Sequence, residues 1–227
     1  MTSPIDLRWM DRALDLAERG RYTVSPNPMV GAVVLRSGRV AGEGFHEQAG
    51  RSHAEVRALD RAGKRARGGD LYVTLEPCAH FGRTPPCTDA ILSSGVRRVV
   101  FAARDPNPLV AGKGVAALRR AGVEVVESDA ARRVRAYRQN EKFRLWISKA
   151  RPFVLAKWAQ TLDGKIAPAR GSSRWITGEA ARERALLLRE EYDAVLVGAG
   201  TVLADDPLLT RRLRRNRVTR HRRIVLD

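Results

Sequence analysis

Residues 52–56 read Ser52-His53-Ala54-Glu55-Val56, and residues 74–87 read Thr74-Leu75-Glu76-Pro77-Cys78-Ala79-His80-Phe81-Gly82-Arg83-Thr84-Pro85-Pro86-Cys87. Together they supply an imidazole, two thiols and a carboxylate, the inventory of a zinc-activated water. A catalytic zinc keeps three protein ligands and leaves its fourth tetrahedral position to solvent, which lowers the pKa of bound water to about 7. His53, Cys78 and Cys87 fit the three places. Residues two apart do not share a face in mid-helix, but at a helix N-terminus side chains lean back toward the end and can converge beyond it. The pattern therefore predicts a helix over 54–66 with His53 at its opening turn and Glu55 beside it.

Other readings of these residues are ordinary ones. Two cysteines can be buried apolar side chains or a disulfide, and a single histidine is more often structural than a ligand. Yet the chain has two Cys and four His, and both Cys plus His46, His53 and His80 fall within residues 46–87. Scattered structural residues rarely cluster in this way. The order His-x-Glu followed by Pro-Cys-x-x-Cys is that of zinc deaminases acting on bases, where the Glu moves protons and is not a ligand; Glu55 takes that place. The second cysteine departs from this pattern, because the insert Ala79 to Pro86 stands where two residues are expected.

The tract Glu-Pro-Cys-Ala-His-Phe-Gly-Arg-Thr-Pro-Pro-Cys, joined to His-Ala-Glu, closely resembles the bifunctional deaminase/reductase family of riboflavin biosynthesis, which the longer loop separates from cytidine and tRNA adenosine deaminases. The resemblance implies a cytidine-deaminase-like three-layer α/β/α domain, residues 1–148, that hydrolytically deaminates a phosphoribosylated diaminopyrimidinone. It also implies substrate contacts at Asn27, His46, His80 and Arg83, with Arg83 near the ribose phosphate, which an arginine can grip bidentately. Asn27 lies between Pro26 and Pro28, whose fixed φ stiffens the turn, although Asn is common in any turn. Asp105-Pro106-Asn107-Pro108 and Gly112-Lys113-Gly114 match the family too and are expected at the rim of the cleft.

The chain in order supports an α/β domain. Leu7, Met10, Leu14 and Ala17 are at helical spacing over 6–19, stopped by Gly20. Met29 to Leu35 and Val40 to Phe45 form a hairpin about Ser37-Gly38. Strands at 71–75, 96–102 and 123–126 alternate with helices at 88–94 and 114–121, which predicts crossovers and a mainly parallel sheet between helices. Ligands in such sheets sit beyond the carboxyl ends of strands, and Glu76-Pro77-Cys78 directly follows one. A helix over 129–148 closes the domain.

Beyond residue 150 the chain begins again. Arg151-Pro152 breaks the helix, and Phe153 to Ala159 reads as a first strand. Leu155 to Ala167, Ser173 to Thr177, Val197 to Thr201 and Ala204 to Thr210 resemble the start of the riboflavin-pathway reductase, so 152–227 is expected to be the N-terminal part of a dihydrofolate-reductase-like α/β domain. By that resemblance Ala159, Trp175, Thr201 and Asp205 match NADPH positions, and Ser173, Arg189, Leu209 and Arg212 match substrate positions. Gly198-Ala199-Gly200 alone is a weak dinucleotide signal. The family's reductase continues past Asp227 to a later Gly-rich cofactor loop, so this portion is expected to be incomplete, to end on an unpaired apolar strand at 223–226, and to leave NADPH-dependent reduction impaired.

Composition sets outer bounds. The chain has 227 residues, 44% of them hydrophobic, and no apolar run near the roughly 18 residues of a membrane span. The N-terminus lacks the basic-then-apolar layout of a signal peptide; with both Cys assigned to metal, a reducing cytoplasm is expected, as is a homo-oligomer. A formal charge of +17, from 42 Lys+Arg against 25 Asp+Glu, attracts phosphates and nucleic acid alike. It supports a second enzyme reading, a nucleic-acid base deaminase, which the Cys78–Cys87 spacing and the reductase-like sequence oppose. A non-enzymatic alternative, a basic binding module with a structural zinc, requires a fourth protein ligand from His46 or His80, both already matched to substrate.

Overall fold

The structure, a computed structural model, describes residues 4–82, 84–108, 110–169, 171, 175–211 and 222–227. The chain divides into two compact units, Met1–Phe153 and Val154–Asp227.

The first unit opens with helix α1 (Pro4–Glu18), which buries Met10, Ala13, Leu14 and Ala17 as one stripe, as its apolar spacing dictates. Strands β1 (Gly31–Arg36) and β2 (Arg39–Phe45) form the expected hairpin. Its turn residues Ser37 and Gly38 both have positive φ, 50° and 73°, the twist that two-residue hairpins need. Helix α2 (Ala54–Ala62) follows and gives way at Gly63 to a 3-10 turn, Gly63–Ala66. The single helix expected over 54–66 is thus interrupted, because Gly63 takes φ 53°, a left-handed value that ends α-helical bonding. After it come β3 (Asp70–Leu75), α3 (Cys87–Ser94), β4 (Arg98–Ala103), α4 (Lys113–Arg120) and β5 (Glu124–Glu127).

The sheet runs β2-β1-β3-β4-β5 and is mixed, where a mainly parallel one was expected. Strand β1 is antiparallel to both β2 and β3, and only β3-β4-β5 is parallel. The hairpin is the physical reason. The crossover β2-α2-β3 does create a parallel pair, but β1, tied to β2 by a two-residue turn, lies between its members. Helices α1 and α5 (Ala130–Gln139) pack on β1 and β4 and on each other, while α2, α3 and α4 form a second contiguous layer. Tyr72, Phe101, Leu71, Ile91 and Leu118 fill the layers between them. Helix α2 sits very close to β2: a Cβ on Gly44 would lie 2.5 Å from the carbonyl oxygen of Ala54.

The helix expected over 129–148 is two helices, α5 and α6 (Glu141–Lys149), joined at Asn140 with φ −109° and ψ 23°. The periodicity of the segment is helical throughout; a tertiary contact of Asn140, described below, sets the break. The strand order brings the segments before β1, after β2, after β3 and after β4 to one edge of the sheet, where crossover topologies gather their ligands.

In the second unit, α7 (Glu179–Glu191), β6 (Ala194–Gly198), α8 (Ala199–Asp205) and β7 (Arg222–Leu226) form an α/β element with β6 and β7 parallel. One expectation fails here. Residues 153–159 are not a strand: no described strand pairs with them, and Val154 and Trp158 are exposed. Residues 223–226 pair on one side, Arg223 to Leu226 aligning with Val195 to Gly198, and form an outer strand of the two-stranded sheet among the described residues. Among the described residues, no helix is long and apolar enough to cross a membrane.

Candidate metal centre and its cavity

His53 is the N-cap of α2, in extended conformation at φ −69° and ψ 166°, and Cys87 is the first residue of α3. Cys78 stands just beyond β3. The positive ends of two helices therefore face one point, which favours thiolate over thiol. His53 Nδ1 lies 3.0 Å from Cys87 Sγ and 3.7 Å from Cys78 Sγ. The Cys87 backbone N–H donates to Cys78 Sγ at 3.3 Å.

The three donor atoms lie within 4.8 Å of one another and form the one such group among the described residues. Zinc bonds of about 2.0–2.3 Å in a tetrahedron place ligand atoms roughly 3.5 Å apart, so the set fits that ion with one position left over. The electrostatics agree with a metal-thiolate site. The Cys78 thiol is drawn down to about 4, chiefly by the hydrogen bond from Cys87, and then by His53. Cys87 is pushed up by that same bond and by burial. The hydrogen bond with Cys78 holds His53 above its ordinary value.

Glu55 is buried, and burial pushes its carboxyl up from the ordinary range. It stands beside the Cys87 thiol and outside the three-donor group. A carboxyl held close to its proton next to a metal is suited to relaying protons.

The cluster opens on a cavity of about 430 Å³, lined among others by Asn27, His46, Glu55 and His80, a size suited to a small molecule. His46 is buried, which lowers its pKa and keeps the ring neutral. Its Nδ1 lies 3.3 Å from the Ser52 carbonyl oxygen and so carries the proton, and Nε2 accepts from Asn27 Nδ2 at 3.0 Å. This fixes the amide of Asn27 so that its oxygen is the atom offered to a ligand.

Comparison with known proteins points to a family. Residues 3–103 match the cytidine and deoxycytidylate deaminase zinc-binding region, and residues 152–227 match the RibD C-terminal domain. The riboflavin biosynthesis protein RibD of Aquifex aeolicus is 54% identical over 213 residues, covering 92% of this chain and 58% of that protein. Over the residues it spans, the chain is similar to RibD proteins. The RibD of Escherichia coli is 48% identical over 90% of this chain and 55% of its own length. A solved Thermotoga maritima structure, a diaminohydroxyphosphoribosylaminopyrimidine deaminase/reductase, has 48% identity and a TM-score of 0.90, covering 98% of this chain and 63% of that one. The chain therefore spans a little over half the length of its RibD relatives. The family's zinc-binding region includes His53, Cys78 and Cys87.

Not every position that the family resemblance suggested is brought to this cavity. Arg83, Ser173 and Arg212 lie outside the described residues. In the second unit Thr201 and Asp205 are one turn apart on α8, Trp175 is exposed with the Arg182 guanidinium 4.5 Å over its ring, and Leu209 is buried with φ 49°. Ala159 is half-buried in an irregular segment and Arg189 lies near the end of α7. Asp105 and Asn107 do line the cavity.

Gly112-Lys113-Gly114 does not form the expected rim; it backs the metal loop. Buried Glu76 accepts from the Gly112 and Val115 backbone N–H groups at 3.1 and 3.3 Å, capping α4 with its carboxylate. A Cβ on Gly114 would lie 1.8 Å from the Pro77 carbonyl oxygen. The signal was present in the sequence as a Glu one residue before Pro77-Cys78, but its partners are about forty residues away. Gly114→Ala is expected to displace Pro77-Cys78, costing about 1–3 kcal/mol of stability and weakening zinc retention. Thermal unfolding and competition with a chelator measure both; unchanged zinc retention would show that the α4 contact does not support the metal loop.

Proposed function

We propose that this chain carries the deaminase of riboflavin biosynthesis, with residues 1–148 as a zinc-dependent deaminase domain and 152–227 as part of an NADPH-dependent reductase domain. The substrate is the phosphoribosylated diaminopyrimidinone, whose ring amine is replaced by oxygen. One observation carries the reading: a group of three metal-donor side chains with a buried carboxyl beside it, where His53, Cys78 and Glu55 line a cavity of about 430 Å³.

His53, Cys78 and Cys87 would hold zinc, which when bound supplies a Lewis acid that makes water nucleophilic near neutral pH. Glu55 accepts a proton from the attacking water and passes it to the ring nitrogen, then takes the second proton from the new carbon-bound hydroxyl and delivers it to the amine, so that the C=O forms as the C–N bond breaks and ammonia leaves. Asn27, steadied by His46, meets the polar edge of the pyrimidine. His80, which lines the cavity, is assigned to the substrate, and Arg83 to the ribose phosphate. In the second domain, Ala159, Trp175, Thr201 and Asp205 are assigned to NADPH, and Ser173, Arg189, Leu209 and Arg212 to the reductase substrate. Action in the cytoplasm as a homo-oligomer completes the proposal.

The direct test is incubation of the zinc-loaded chain with the phosphoribosylated pyrimidine and mass analysis of the product. The expected product is heavier by the difference between O and NH, with ammonia released in equal amount. Absence of that product, with deamination of single-stranded DNA or tRNA in its place, would sink the proposal in favour of a nucleic-acid base deaminase.

A further inference from the structure

We propose that Asn140 is a positioning residue for the substrate, tying the loop that carries Asn27 to the helix that adds Phe143 and Ile147 to the same cavity. The chemical part of this rests on the deaminase reading; the structural part does not.

Asn140 is buried, at 5% exposure, at the junction of α5 and α6. Its backbone N–H bonds Ala136 O at 3.2 Å, ending α5, and its carbonyl accepts from Arg144 N at 2.9 Å, starting α6. The side chain turns the other way. Its Oδ1 accepts from the Met29 N–H at 2.7 Å and its Nδ2 donates to the Met29 carbonyl at 2.9 Å. Both polar groups of one backbone residue are thus met by one amide, as a neighbouring strand would meet them, across 111 positions of sequence.

That residue is a critical one to hold. The loop from Pro26 to Val30 contains two prolines, which have no N–H to donate. Its other backbone anchors are the Asn27 N–H to Val24 O at 2.8 Å and the Val30 carbonyl, which accepts from His46 N at 2.9 Å. Asn27, which contacts His46 Nε2 in the cavity, is two residues before the clamp. Three and seven residues after Asn140, on one face of α6, Phe143 and Ile147 line the same cavity. Helix α6 has no fully buried side chain, so no core of its own fixes its place. A polar group and two apolar side chains that line the same cavity are therefore referenced to the same residue.

The test uses the full zinc-loaded chain and the variants Asn140→Ala, Asn140→Asp, Asn27→Ala and Asn27→Ala/Asn140→Ala. Asp keeps the acceptor for the Met29 N–H but sets a second carboxylate oxygen against the Met29 carbonyl, so the same segments should loosen at least as much as in Ala, and agreement of the two variants separates loss of the clamp from poor folding of either. Hydrogen exchange is expected to rise about tenfold or more in 26–31 and 141–148, as expected for loss of two buried hydrogen bonds, with 54–62 and 98–103 unchanged and zinc content equal to the native chain's. KM for the phosphoribosylated pyrimidine should rise about tenfold with a smaller fall in kcat, and the double variant should fall short of the product of the two single effects, because part of the Asn140 effect runs through Asn27. Exchange that is unchanged, or that rises evenly across the domain, overturns the inference, as does a double variant showing the product of the two single effects. A native chain that turns over no such pyrimidine refutes the deaminase reading and leaves the exchange result to judge Asn140.

Discussion

The Glu55→Gln chain is expected to bind zinc with native stoichiometry and to deaminate about 10²–10⁴-fold more slowly, the usual contribution of a positioned acid–base group. The substitution keeps the shape of the side chain and removes only its titratable proton. Glu55 is buried against the Cys87 thiol, yet the metal donors are on His53, Cys78 and Cys87, so metal content and turnover should separate cleanly. Metal analysis and single-turnover product formation on one preparation measure the two quantities. Turnover within a few-fold of native would remove Glu55 from the proton pathway, and loss of zinc in step with activity would make it a ligand.

Cys87→Ser should have the opposite signature, with zinc and activity lost together. A serine hydroxyl does not ionise near neutral pH, so the site falls from three anionic or neutral donors of the right kind to two. Removal of partners that only orient ligands costs 10–100-fold in metal affinity, and loss of a ligand should exceed about 100-fold. Because the three donors come together only in the folded chain, metal affinity is also stability of the folded state. The expected results are a substoichiometric zinc content after dialysis and a lower unfolding temperature that added zinc no longer raises. A Cys87→Ser chain that keeps one tightly held zinc would mean that another group completes the coordination.

The metal centre was legible in the sequence because its signal is chemical and local. His53 and Glu55 are two residues apart, the thiols flank one loop, and few other residues in the chain could do the same work. The strand and helix pattern of the first unit was legible for a similar reason, since burial periodicity acts over a few residues. What escaped was long-range. The insertion of β1 between β2 and β3 depends on which edge accepts β3, and no local pattern encodes that choice. Asn140 looked like one polar residue within a long helical run; only a partner 111 residues away makes it a break. Residues 153–159 have the composition of a strand, but a strand exists only where another pairs with it.

The seat of α2 on β2 bears on how this domain tolerates change. At Gly44 the helix and strand meet backbone to backbone, so the place of the helix start, and with it His53 and Glu55, is set by main-chain contact as well as by the fit of Leu59 and its neighbours. Apolar substitutions deeper in the core can then drift through many combinations without moving His53 and Glu55, while a side chain at Gly42 or Gly44 cannot be accommodated. Libraries that randomise the core should keep many functional members, and libraries that include position 44 should lose nearly all of them.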